Sequence, residues 1–107
     1  AILDADTIVY YLWLKIQSMP NYKDKTTLIL TNDHGRFLDG NGTGFQDHGG
    51  IDDGNRHLMF LAIGPNIKSG AQVDTPRELI DIGPTIASMM SINMTQSVGK
   101  NMSELLR

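Results

Sequence analysis

A chain of 107 residues is long enough for one small domain with its own core, and one domain is the upper bound. Nine Lys and Arg against twelve Asp and Glu leave a formal net charge of -3, which offers no electrostatic footing for a nucleic-acid backbone. There is no cysteine, so neither disulfides nor thiolate ligands hold the chain, and no apolar run approaches the ~20 residues needed to span a bilayer.

Ile2, Ala5, Val9, Leu12, Ile16 and Met19 recur at intervals of three and four, which predicts an amphipathic helix with Asp6 and Lys15 turned to water. Pro20 ends it. This opening stretch lacks the basic start and unbroken apolar core of a signal peptide, so it is expected to stay in the mature fold. The sequence opens directly on a helix without an initiator Met, as a piece of a longer protein would. Any leader would lie upstream, and extracellular, periplasmic and cytoplasmic locations all stay open.

The β-branched run over residues 26–31, Thr-Thr-Leu-Ile-Leu-Thr, predicts a central strand, so that Asn32, Asp33 and His34 leave the sheet at its carboxyl edge. Residues 35–55 read as a long glycine- and aspartate-rich loop, and a loop of this length in a compact domain is more often functional than a simple joint. Residues 58–63 form a dense apolar run, expected to be a buried second strand, which Gly64-Pro65 stops. Thr75-Pro76-Arg77-Glu78 has the pattern of an N-cap, a first-turn proline and a capping-box glutamate, predicting a helical turn from that point. Asp81 is expected to cap a helix whose apolar stripe is Ile82, Ile86, Met89 and Met90, with Pro84 early enough to be tolerated. The methionines read as core filler rather than a cofactor box. A last short turn over residues 101–106 should pack Leu105 and Leu106 back onto the body. Helices and strands together make the chain α/β.

The chemistry concentrates in the middle. Asp33 and His34 sit side by side at a strand end, where a carboxylate and an imidazole can approach one divalent ion of the Zn or Mn type, and Gly35 relieves crowding beside them. His48, also followed by glycine, can fold back to the same site or to a neighbouring ion. On residue type and spacing alone a structural reading stands level with this one: Asp33 capping a turn, His34 donating to a carbonyl, His48 at the surface. Arg36 and Arg56 carry the permanent charge and donor fork that suit phosphate or sulfate, while surface ion pairs with Asp39, Asp52 or Asp53 are the commoner use of such residues. His57 rivals His48 as a ligand, although its place just before a strand favours a structural hydrogen bond. Asp39-Gly40-Asn41-Gly42 lacks the ligand spacing of a calcium loop, and Gly40, Gly42 and Gly44 do not follow a nucleotide-loop pattern.

The run Thr26-Thr27-Leu28-Ile29-Leu30-Thr31-Asn32-Asp33-His34-Gly35 resembles the strand and metal-binding turn of the alkaline phosphatase superfamily, which includes sulfatases, nucleotide pyrophosphatase/phosphodiesterases and cofactor-independent phosphoglycerate mutases. Gly44-Phe45-Gln46-Asp47-His48-Gly49 resembles that family's later histidine segment, residues 58–65 the strand after it, and Asp81-Ile82-Gly83-Pro84-Thr85-Ile86-Ala87 a helix start common among sulfatases. The resemblance covers nearly the whole chain. It implies that residues 1–107 are the carboxyl-terminal part of one alkaline phosphatase-like αβα catalytic domain, which would need the remainder of that domain. It further implies Asp33, His34 and His48 as ligands of one or two divalent ions, a nucleophile upstream of this chain, and a small phosphate or sulfate ester as substrate. The fragment alone is then expected to be inactive. A phosphotransferase or mutase of the same superfamily, and a noncatalytic structural or protein-binding domain, are the alternatives.

Overall fold

The computed structural model describes residues 1–38 and 46–107. Along the chain run helix α1 (Ile2–Ser18), strand β1 (Leu28–Thr31), the one-turn helix α2 (Asp53–Arg56), strand β2 (Phe60–Ile63), a 3-10 turn over Leu79–Asp81, helix α3 (Ile82–Met89) and a second 3-10 turn over Ser103–Leu105. The two strands form one sheet, so the described residues are a small mixed α/β structure. No helix among them is long and apolar enough to cross a membrane. The chain divides into two compact units, Ala1–Leu28 with Ile63–Arg107, and Ile29–Ala62.

In the first unit α1 ends as its sequence dictates, at Ser18, with the Met19 N–H closing on the Ile16 carbonyl just before Pro20. Asp4 in its first turn and Lys15 in its last complement the helix dipole. The buried line differs from the predicted stripe. Ile16 is buried and Val9 and Trp13 are half-buried, whereas Ile2 and Leu12 are 86% and 46% exposed. Periodicity identifies residues that share a face; it does not say how much of that face another element covers.

The helical turn predicted from Thr75 begins later, at Leu79, and Asp81 does not cap α3 with its side chain. Its carboxylate is drawn elsewhere, accepting the Lys100 N–H at 2.7 Å and the Glu78 N–H at 3.2 Å. These donors, the Lys100 amide foremost and the Arg77 charge after them, hold the Asp81 carboxyl below the usual carboxylate range. Thr85, one turn on, donates to the Asp81 carbonyl at 2.6 Å and accepts the Met102 N–H at 2.9 Å. The buried positions of α3 are therefore Thr85 and Ala87, with Met102 beneath them, while Ile86 and Met90 of the predicted stripe are exposed. Polar partners recruited from residues 19 and 17 positions away outweigh the apolar pattern of the helix itself.

The carboxyl end packs back as predicted. Leu106 forms an antiparallel bridge with Ile67, Lys68 N–H donates to the Leu105 carbonyl at 2.9 Å, and Arg107 N–H to the Asn66 carbonyl at 3.0 Å. Arg77 grips Glu104 through two parallel bonds of 2.7 and 2.6 Å, which depress the Glu104 carboxyl from its usual value.

Candidate functional site

β1 and β2 are each two residues shorter than the runs that predicted them and lie where those runs were read, but neither is enclosed as expected. β1 is one of only two paired strands among the described residues rather than a central one, and Leu61 and Ile63 of β2 are 48% and 39% exposed. An apolar run marks a strand without saying what covers it. Beyond the end of β1, Asn32 pins the turn from both sides. Its Oδ1 accepts the Met59 N–H at 2.6 Å and its Nδ2 donates to the His34 carbonyl at 2.8 Å. The residue before the Asp-His pair is thus an anchor rather than a mere strand exit.

Within this turn Asp33 Oδ1 accepts the His34 N–H at 3.0 Å, and His34 Nδ1 lies 2.8 Å from the Gly35 carbonyl. A carbonyl can only accept, so this contact places a proton on Nδ1, and in the neutral ring it is then Nε2 that carries the lone pair. Nε2 lies 3.6 Å from Asp33 Oδ1, a gap that two donors each about 2 Å from a common ion can bridge. Asp33 is 86% exposed and His34 35% exposed, so neither is sealed from a ligand.

His48 lies against His34, the two rings stacked with centroids 3.9 Å apart and planes 8° from parallel. The predicted trio is therefore together, but its members are not equivalent. In-plane lone pairs of two parallel rings run along separate planes, so one ion cannot lie in both planes at once. The Asp33–His34 gap is one that a single ion could span, whereas His48, stacked on His34, could not reach that same ion as the rings stand. The described residues contain no cluster of three or more His, Asp or Glu side chains shaped to hold a metal. The donor set they provide is a pair with a third group alongside.

The two histidines sit in identical triplets, Asp33-His34-Gly35 and Asp47-His48-Gly49, and Asp47 Oδ1 accepts the His48 N–H at 2.8 Å just as Asp33 does for His34. Within residues 35–55, read as loop throughout, the chain turns into α2. Asp52 caps this helix, its Oδ1 accepting the Gly54 N–H at 2.9 Å. Asp-Asp-Gly was the available signal, since aspartate is a favoured N-cap. α2 is seated against the first triplet by main-chain bonds from Gly35 N–H to the Asn55 carbonyl at 2.7 Å and from Arg36 N–H to the Gly54 carbonyl at 3.1 Å. The approach is so close that a Cβ on Gly35 would run into the Gly54 carbonyl oxygen.

The remaining predicted residues spread around this centre. Arg36 donates from Nη1 to the Gln46 carbonyl at 3.1 Å, tying the ligand turn to the segment that carries His48. Arg56 ends α2, is exposed, and makes no ion pair with Asp52 or Asp53 among the described residues. His57 is exposed, and its main-chain N–H bonds to the Asp53 carbonyl to close α2. Asp39, the Asp39-Gly40-Asn41-Gly42 stretch, and Gly44 and Phe45 lie outside the described residues. Two asparagines, Asn32 and Asn55, escaped sequence reasoning; their roles depend on partners that no local pattern announces.

The chain is similar to an arylsulfatase K of Danio rerio, 31% identical over 72 residues that make up 67% of this chain and 13% of that protein. It is similar to a sulfatase of Formosa agariphila, 32% identical over 71 residues, 66% of this chain and 14% of the relative. An arylsulfatase K of Xenopus laevis is 26% identical over 74 residues, 69% of this chain and 13% of the relative. No protein-family model and no solved structure matches the chain. The relationship is a distant one to the sulfatase superfamily, and the chain spans about one seventh of the length of the curated relatives it matches.

Proposed function

We propose that this chain is the ligand-bearing carboxyl-terminal part of a metal-dependent hydrolase of phosphate or sulfate esters, with an alkaline phosphatase-like αβα domain completed by residues outside it. The observation that carries the reading is the turn after β1, where Asp33 Oδ1 and His34 Nε2 are 3.6 Å apart and His34 Nδ1 is anchored on the Gly35 carbonyl. An imidazole whose second nitrogen is fixed by a carbonyl is oriented as a metal ligand needs to be. The distant similarity to sulfatases supports the same reaction class.

In this reading Asp33 and His34 hold a divalent ion of the Zn or Mn type, and His48 serves a second ion or the ester's anionic group. Such an ion, when bound, lowers the pKa of an attacking group and stabilises charge on the transferring group. Asp33 supplies the negative charge, and the Gly35 carbonyl fixes the His34 tautomer. Arg36 and Arg56 supply positive charge for a phosphate or sulfate, Arg36 from beside the ligand turn and Arg56 from the end of α2. The nucleophile belongs to the rest of the catalytic domain.

A noncatalytic reading has one observation in its favour, that Asp33 Oδ1 is already occupied by the His34 N–H. Asp33→Asn in the full-length protein separates the two. It keeps size and an acceptor oxygen but removes the charge, so bound zinc or manganese and turnover of phosphate or sulfate esters should both fall by at least about tenfold to a hundredfold, since loss of a ligand should cost no less than loss of its support. Full metal content and unchanged turnover in the folded variant would remove Asp33 from the mechanism.

A further inference from the structure

Asn55 touches both Asp-His-Gly triplets. Its main-chain carbonyl accepts the Gly35 N–H at 2.7 Å, and its side-chain Nδ2 donates to the Gly49 carbonyl at 2.7 Å. Gly35 directly follows His34 and Gly49 directly follows His48, so one residue holds the next link of the chain after each ring. The stacked pair is separated by 14 positions in sequence (48 − 34) and meets at a 3.9 Å centroid distance. Asn55 itself is placed by α2, where its N–H donates to the Asp52 carbonyl at 3.0 Å, and it is 6% exposed.

The other end of this amide sharpens the point. Asn55 Oδ1 is buried and has no hydrogen-bond partner among the described residues. An apolar side chain would fill the same space without leaving an acceptor unpaired, so packing alone does not account for an asparagine here. The donor half accounts for it: a buried N–H aimed at the Gly49 carbonyl is something no hydrophobic residue supplies. The amide cannot be turned over, because its oxygen would then face the Gly49 oxygen.

We propose that Asn55 is the positioning residue of the histidine pair, setting His48 against His34 by joining Gly49 to Gly35. Its two joining bonds go to the main chain after each ring, not to the rings themselves. Its purpose, to set the spacing of the two imidazoles toward metal or substrate, rests on the functional reading above, whereas its effect on the rings does not. Asn55→Asp tests this directly, since it keeps the main-chain bond to Gly35 and replaces the side-chain donor by an acceptor opposite the Gly49 carbonyl.

The readout is metal-free NMR of histidine-labelled protein, with His57 as the internal reference and His34→Gln and His48→Gln variants for assignment. Wild type should show cross-peaks between the His34 and His48 ring protons and a ring-current displacement of both. In Asn55→Asp these should disappear while the His57 signals stay in place. A folded Asn55→Asp protein that keeps the inter-ring cross-peaks overturns the proposal. If the variant does not fold, the wild-type Asn55 side-chain amide decides: its protons should exchange with solvent at least about tenfold more slowly than those of the exposed Asn21 and show cross-peaks to the Gly49 Hα, and exchange at the Asn21 rate overturns the proposal. Titration with Zn(II) alone separates this idea from the functional reading. Affinity reduced roughly tenfold to a hundredfold, together with separation of the rings, supports both. Separated rings at unchanged Zn(II) affinity would leave Asn55 as the positioning residue and count against His48 as a metal ligand.

Discussion

At the scale of single residues, the site is held by small and polar groups whose exact size matters. Gly35 lets the Asp-His turn lie against α2, with two main-chain bonds at a separation no side chain would permit. Gly35→Ala would drive a methyl group into the Gly54 carbonyl, and main chain cannot swing aside as a flexible side chain can. We expect a loss of at least about 1–3 kcal/mol in stability, the usual cost of overpacking. We also expect the His34–His48 stacking to disappear, the two effects being read together from denaturant unfolding and histidine NMR. A fully stable Gly35→Ala protein with the ring pair intact would mean that α2 is not seated as described.

Asp33 and Asp47 illustrate a different residue-scale lesson. Each bonds the N–H of the histidine that follows it, yet only His34 has a ring nitrogen within reach of its own aspartate among the described residues. Identical triplets therefore need not have identical geometry, and in the proposed reading the first is the one that would take the ion.

At the scale of elements, α3 is organised by two buried polar groups rather than by its apolar stripe. Thr85 spends its hydroxyl on both the Asp81 carbonyl and the Met102 amide, joining the start of the helix to the returning carboxyl-terminal segment. Thr85→Val keeps the shape, removes both bonds and leaves the Met102 N–H buried without its partner. A destabilisation of about 1–3 kcal/mol is expected from urea unfolding, as for other orphaned buried donors. A change near zero would show that water replaces the hydroxyl.

The same region carries a pH dependence. Asp81 and Glu104 are held below their ordinary values of 3.8 and 4.5, Asp81 chiefly by the Lys100 amide and Glu104 chiefly by the Arg77 guanidinium. These donors are assembled only in the folded chain, so the unfolded chain binds protons more readily in the acid range. The stability contributed is complete above the ordinary carboxylate values and is lost as the pH falls through the depressed folded ones. The melting temperature should be level from about pH 7 to about 5 and fall below about pH 4. An Asp81→Asn, Glu104→Gln double variant should be less stable at neutral pH and show a shallower acid decline. An unchanged acid slope would assign the effect to other carboxylates.

At the scale of the whole molecule, the chain spans about one seventh of its curated relatives and presents large apolar side chains on α1, with Ile2, Leu3, Ile8 and Tyr11 between 64% and 86% exposed. In the proposed reading a donor pair with His48 alongside would hold an ion incompletely, and a bound ion without a positioned attacking group provides only part of a rate enhancement. The 107-residue chain alone is therefore expected to show no metal-dependent hydrolysis of phosphate or sulfate esters above background. Turnover that is abolished by Asp33→Ala and survives repurification would contradict this.

What the sequence by itself determined about this protein is local: the helix stopped by Pro20, the two short strands in their β-branched and apolar runs, and the Asp-His turn at the edge of the first. These follow from the preferences of neighbouring residues and from spacing along one face, which are properties of a segment. Tertiary structure decided which face α1 covers, where the Asp81 carboxylate goes, that His48 lies on His34, and that a buried asparagine outside either triplet joins the two. The last three join residues distant in sequence through one or two hydrogen bonds or a ring contact. No periodicity encodes such meetings; they exist only once the chain has closed and a buried polar group must find its partner.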